Sequence, residues 1–172
     1  RPAASQGGET TFYHGKLQDG LALDPLTAYS TVLVPYFAQH PRARQILLTK
    51  SASVERLLPL EHNGRTTLSW SLNPAAIAER FERNVPSVAA RVEAMKRCAA
   101  AGYPVRAVIM PLIPVAGWQE LYTAFIADLV AEVPLERLTL GGLCSAKQAT
   151  RLMERKLGKA NAISCNMQTD NK

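Results

Sequence analysis

TTLSWSLNP, residues 66–74, alternates without a break. Leu68, Trp70 and Leu72 fall on one face of an extended chain, and Thr67, Ser69, Ser71 and Asn73 on the other. Alone, that pattern would describe an antiparallel strand with one wet face. The flanking segments read instead as strand–helix–strand units, whose parallel strands are expected to be covered on both faces. Small polar side chains thus line the inner face of a strand that belongs in the core.

The flanks read as follows. TTFYHG (10–15) is a short strand. LALDPLTAYSTVLVPYFAQH (21–40) is one helix, with Asp24 as N-cap, Pro25 at the first helical position, and Pro35 kinking or ending it. QILLTKS is a strand, and SVERLLPLEHNG a short helix stopped by Asn63–Gly64. After the 66–74 strand, PAAIAERFERN begins a helix at Pro74. Ser87 then caps SVAARVEAMKRCAAAG, where Val88, Val92, Met95 and Ala99 share a face. VRAVIMPLIPV is a continuous apolar strand of the kind covered on both sides. GWQELYTAFIADLVAEV carries Trp118, Leu121, Tyr122, Phe125 and Leu129 at helical spacing. RLTLGGLC is a fifth strand, and Ser145 caps a last helix that Gly158 closes.

Five strands separated by helices, with right-handed crossovers, give an α/β fold with a parallel sheet covered on its outer side. No strand is followed by Gly-x-Gly-x-x-Gly or by a P-loop, so dinucleotide and nucleoside-triphosphate readings lose their support. A parallel-stranded partial (βα) barrel is favoured over a doubly wound sheet, and in barrels the strand C-termini carry the chemistry. Lys50, Ser71, Asn73 and Cys144 all sit at such ends.

The 172 residues suffice for one domain with a core, and 47% hydrophobic with 20% charged residues is a globular composition. No run is long and apolar enough to cross a bilayer, and no signal peptide opens the chain, so no membrane partner and a cytoplasmic setting are expected. Three cysteines, Cys98, Cys144 and Cys165, form neither a disulfide framework nor a metal motif, and no metal ligand is assigned. A net charge of +6 without a long basic run is weak support for an anionic partner.

Each candidate has a plainer alternative. Lys50 at the end of a buried strand needs water, a carboxylate or a ligand; its alternative is snorkelling to the rim. Ser71 and Asn73 could simply bond the next turn, but Ser69 on the same face points to a polar pocket. Gly141 and Gly142 permit a close backbone approach to a ligand, or a bend. Cys144 and Cys98 read as small buried hydrophobes, and His62 as part of a helix end. His14 reads either way. Lys147, Arg151 and Arg155 form a stripe at i, i+4, i+8, suited to solvent or to phosphates.

HGKLQDGLALDPLT, ILLTKSASVERLLPLEHNGRTTLSWSLNP, ERFERNVPSVAARVEAMKRCAAAGYPVRAVIMPLIPVAGWQE and LTLGGLC occur in an order and spacing that resemble the core of the spore photoproduct lyase-like radical S-adenosylmethionine proteins, often described as DNA repair photolyases. The resemblance runs from about Thr10 to Met167, and LTKS, EHNG and SWSLNP are its most specific parts. It implies a partial barrel of the radical S-adenosylmethionine type. It also implies a [4Fe–4S] cluster held by Cys-x-x-x-Cys-x-x-Cys, an electron donor for that cluster, and S-adenosylmethionine cleaved to a 5′-deoxyadenosyl radical. In the lyase that radical takes hydrogen from a thymine dimer of DNA, so a nucleic-acid partner is implied as well. By the same resemblance Lys50 lies near the cofactor's carboxylate, Ser71 contacts the cofactor, Asn73 lies two residues along the same face, and Gly15, Lys16 and Leu17 pack by the methionine group.

The departures are equally specific. The chain holds no Cys-x-x-x-Cys-x-x-Cys, which in the family precedes the point where this sequence starts. The lyase's separate hydrogen-returning cysteine falls near Lys16, and HGKLQD contains none. The expected organisation is a flexible stretch over 1–9, a barrel core over 10–160, and a tail over 161–172, as a piece of a longer protein that cannot assemble the cluster alone. Two rivals remain: an aldolase-type barrel using Lys50 as a Schiff-base amine, and a non-catalytic nucleic-acid-binding module using the Lys147/Arg151/Arg155 stripe.

Overall fold

The structure, a computed structural model, describes residues 8–14, 18–143, 147–161 and 163. Five strands, β1 (Thr10–His14), β2 (Ala43–Thr49), β3 (Thr66–Ser71), β4 (Val105–Leu112) and β5 (Arg137–Gly142), are all parallel and lie in sequence order across one sheet. An unreversed order means that every crossover passes on the same side, which separates a curled half-barrel from a doubly wound sheet. The helices are α1 (Asp24–Thr27), α2 (Ser30–Ala38), α3 (Ala75–Phe81), α4 (Val88–Ala100), α5 (Trp118–Glu132) and α6 (Lys147–Leu157).

Register assigns the two faces. Leu47 pairs with Leu68 and Leu68 with Val105, while Trp70 pairs with Ala107 and Ala107 with Leu138. Leu47, Leu68, Trp70, Val105, Ala107 and Ile109 are fully buried and pack with Val34, Ile77, Met95, Tyr122 and Leu129 from the helices. That is the outer, helix-covered face. Ile46, Leu48, Thr67, Ser69, Ser71 and Val108 occupy the inner face. Thr67 and Ser69 are buried there, Ser71 and Val108 are half-buried, and Met110 and Thr139 are exposed, so this side opens toward β5. The alternation in β3 therefore separates core from concave lining rather than core from bulk water.

Several local expectations are corrected. Residues 21–40 form two helices, broken where Ala28 takes φ 50°. Asp24 lies inside α1; its carboxylate accepts from Ser30 N and Ser30 Oγ, both at 2.8 Å, so it caps the second helix instead. Pro35 sits within α2, which stops at Ala38. Residues 53–64 are successive turns rather than a helix. Pro59 cannot donate a helical hydrogen bond, and burying Val54 and Leu57 in the core fixes the turns instead. Asn63 (φ 47°) and Gly64 (φ 66°) do supply the left-handed stop. In β4 only alternate residues are buried, because the inner face is open. Ser87 caps α4 as expected, accepting from Ala90 N at 3.2 Å, and Gly158 follows α6 at φ 83°.

Residues 19–22 are clamped over the end of β2. Asp19 Oδ1 accepts from Leu21 N, Ala22 N and Thr49 Oγ1 at 2.8, 2.9 and 2.6 Å, and its Oδ2 accepts from Lys50 N at 2.6 Å. Gly20 N donates to Leu48 O at 2.7 Å. A Cβ on Gly20 would stand 2.9 Å from that same carbonyl oxygen, a backbone atom that cannot swing aside. Gly20→Ala is expected to lower unfolding free energy by about 2 kcal/mol, read as a shifted urea midpoint at constant slope. An unchanged midpoint would mean that the clamp is looser than its geometry.

Candidate functional site

Lys50 is the first residue beyond β2, Ser71 ends β3, and Asn73 follows two residues later. Ser71 keeps the inner-face parity of β3, while Lys50 and Asn73 lie just past the strand ends at the C-terminal rim. Their meeting point is Glu82, just past α3. Its Oε1 accepts from Lys50 Nζ at 2.9 Å and from Asn73 Nδ2 at 3.2 Å, while its Oε2 accepts from Arg91 Nη2 at 2.8 Å. Arg91 Nη1 donates to Ser71 O at 3.0 Å. Tyr122 Oη donates to Asn73 Oδ1 at 2.8 Å and accepts from Ile113 N at 3.0 Å, which fixes the Asn73 amide with its nitrogen toward Glu82.

Ends of β2 and β3, the loop after β4, and α3, α4 and α5 are thereby tied into one network. Exposure is graded through it: Arg91 is fully buried, the Glu82 side chain is 7% exposed, and the Lys50 side chain 32%. Of the three charged side chains, Lys50 is the one that reaches solvent. Burial pushes the Glu82 carboxyl up, but the hydrogen bonds from Lys50 and Asn73 and the charges of Arg91 and Lys50 outweigh it and hold the group below an ordinary glutamate.

The sequence-level candidates are distributed as follows. Lys50 and Asn73 meet on Glu82, whereas Ser71 joins through its backbone carbonyl, its side chain half-buried on the same face. Gly15, Lys16, Leu17 and Cys144 lie outside the described residues, as does the side chain of Lys147. Gly141 makes room for Met110, whose sulfur a Cβ would meet at 2.6 Å. Cys98 is fully buried, and desolvation pushes its thiol up to about 12, an inert core group. His62 stacks on Tyr103 at 3.8 Å; Gly64 N donates to its Nδ1, which leaves Nε2–H for Ala101 O at 3.2 Å, a structural role in a turn rather than a helix end. His14 packs edge-on against Phe37.

Glu82, Arg91 and Tyr122 were not among the sequence candidates. A signal existed for Arg91: it falls between Val88 and Met95 on the apolar face of α4, and a charge there demands a buried counter-charge. Nothing in the spacing singled out Glu82.

The lowered Glu82 group gives the acid limb of stability a definite sign. The unfolded chain binds the proton more readily, so this contribution is complete above the ordinary value of 4.5 and is lost as pH falls through the folded value. Glu82→Gln is expected to flatten the loss of stability below that point, in urea titrations at descending pH. The difference should survive high salt, because the pair is buried, unlike that of the exposed Glu55–Arg97 pair.

With the geometry in place, likeness to known proteins is specific. Residues 5–157 match the family model described as spore photoproduct lyase. The spore photoproduct lyase of Bacillus subtilis (strain 168) is 30% identical over 125 residues, covering 73% of this chain and 36% of that protein. That of a Geobacillus species is 27% identical over 157 residues, covering 87% of this chain and 46% of that one. The chain thus spans less than half the length of these curated relatives. Among solved structures, a spore photoproduct lyase variant with bound AdoMet and dinucleoside spore photoproduct superposes with a TM-score of 0.78 at 24% identity, over 98% of this chain and 49% of the other. That superposition carries the half-barrel fold; the family match, over most of the sequence, carries membership. This chain belongs to the spore photoproduct lyase family.

Proposed function

We propose that the chain is the cofactor-bearing part of a radical S-adenosylmethionine enzyme, with Lys50 as the group that receives the cofactor's carboxylate. The supporting observation is the partly exposed Lys50 side chain at the C-terminal rim, its ammonium held by Glu82 with N–H donors to spare. A carboxylate is the complementary ligand for such a donor. Ser71 and Asn73 stand beside it at the end of β3, and Gly15 and Lys16, outside the described residues, are assigned to the same site by the family resemblance. When bound and reduced by one electron, S-adenosylmethionine supplies a carbon radical able to take hydrogen from a substrate; this part of the chain binds and orients it.

The residues do not fit the cluster itself. Among the described residues no group of three or more His, Cys, Asp or Glu side chains could hold a metal, and Cys98 is sealed in the core. The Schiff-base reading is also disfavoured: an amine nucleophile needs a desolvated, unpaired lysine, whereas the Lys50 ammonium rests on a carboxylate and reaches water.

A nucleic-acid substrate is part of the proposal. The relatives are spore photoproduct lyases, and one solved relative holds dinucleoside spore photoproduct. On this chain Arg151, Arg155 and Lys156 are exposed along α6, a surface able to meet phosphates. No helix among the described residues is long and apolar enough to cross a membrane, and a cytoplasmic setting suits this reading.

Lys50→Met should weaken S-adenosylmethionine binding by about tenfold or more in equilibrium dialysis, with the circular dichroism unchanged. Equal affinity would remove Lys50 from the site. Independently, neutralising Arg151 and Arg155 should lower the slope of single-stranded DNA affinity against log salt by about one to two. A slope that does not move would exclude α6 as the contact.

A further inference from the structure

A lysine paired with a glutamate is neutral overall, and a neutral pair has little pull on an incoming carboxylate. The rim would therefore be poorly suited to its ligand if Lys50 and Glu82 were the whole site. They are not: Arg91 holds the second oxygen of Glu82 at 2.8 Å from a fully buried position. The trio carries one net positive charge, and only Lys50 brings that charge to solvent. We propose that Glu82 and Arg91 are positioning residues for Lys50, Glu82 aiming its ammonium and Arg91 supplying the buried charge that keeps the aimed ammonium uncompensated. This rests on the reading that a carboxylate-bearing ligand sits at Lys50.

Three features support it. First, Glu82 cannot turn away. Both its oxygens are occupied, one by two donors, and the Asn73 amide is locked by Tyr122. Second, Arg91 is poorly placed for any purely stabilising role. It occupies an apolar helix face, its Nε has no partner, and a well-packed hydrophobe generally suits such a position as well or better. Third, the flexible lysine stem has many rotamers, so an internal anchor that leaves two N–H donors free removes most of the ordering cost of ligand binding.

The test uses two ligands that differ only at the proposed contact, S-adenosylmethionine and its decarboxylated analogue. Their affinity ratio for the 172-residue chain reports the reading of the carboxylate, and a change that merely loosens the fold weakens both alike. Glu82→Asp keeps the charge but draws the carboxylate back from Lys50. It is expected to reduce the ratio by about fivefold or more while the analogue's affinity holds. Arg91→Gln should reduce the ratio similarly, and Arg91→Lys should restore most of it.

A natively folded Glu82→Asp protein whose ratio is unchanged or raised would overturn the proposal. It would show Glu82 to be a competitor for Lys50 rather than its anchor. This arm stands even if Arg91→Gln fails to fold. Should Lys50→Met leave the ratio unaltered, the carboxylate reading itself falls, an outcome separable from the first. A chain that binds neither ligand removes the ground for both.

Discussion

A carboxylate that is nearly sealed from water governs the upper end of this half-barrel. Glu82 and Arg91 each lose hydration on folding, and an unpartnered charge in either place would cost several kcal/mol. The penalty is offset because both oxygens of Glu82 are bonded and the guanidinium has a second acceptor in Ser71 O. Satisfaction of that kind is geometric: it holds only when β2, β3, α3 and α4 arrive in one arrangement. The network therefore ties the strand ends to each other more strictly than apolar packing, which tolerates repacking, could do alone.

The sheet separates two tasks by parity. Even-numbered residues of β3 (Leu68, Trp70) build the helix-covered core, and the odd-numbered ones (Thr67, Ser69, Ser71) build the concave lining. Core burial supplies stability at roughly 25 cal/mol per Å² and fixes the register. With the register fixed, the polar set cannot slip to the wrong face. Trp70 joins the two tasks, being buried among the helices while its Nε1 donates to Ser51 O at 2.9 Å, next to Lys50. The position of the rim lysine is in this way inherited from the core.

Legibility in the sequence followed the range of the interaction. Strand parity, the Ser87 cap and the Asn63–Gly64 stop are local, and they read directly from residue order. Lys50, Ser71 and Asn73 were legible as strand-end positions, because the parallel topology followed from the alternation of strands and helices. The two-part helix at 24–38 was not, since the decisive bond joins Asp24 to Ser30 across a left-handed Ala28. Residues 53–64 read as a helix from the Asn63–Gly64 stop, a local signal, whereas Pro59 and the burial of Val54 and Leu57 decide for turns. Glu82 was silent for a deeper reason. A carboxylate in a loop looks solvated until three elements fold around it, and only its partner, an arginine within an apolar stripe, betrayed that a counter-charge was needed.

Charge arithmetic also separates recognition from nucleophilic chemistry at this rim. A nucleophilic amine must spend time neutral, which neighbouring positive charge favours and a bonded carboxylate opposes. At Lys50 the carboxylate is the direct contact, at 2.9 Å, whereas Arg91 lies behind that carboxylate, on its other oxygen. The contact nearest the Lys50 amine is thus a carboxylate, an arrangement that suits holding an anion-binding group more than freeing a nucleophile. An ammonium fixed in direction, partly wet, and backed by a charge that cannot leave is a poor attacking group and a good receptor for an anion. The fold thus places this anchored lysine at the C-terminal ends of the strands, the end at which parallel barrels gather ligands.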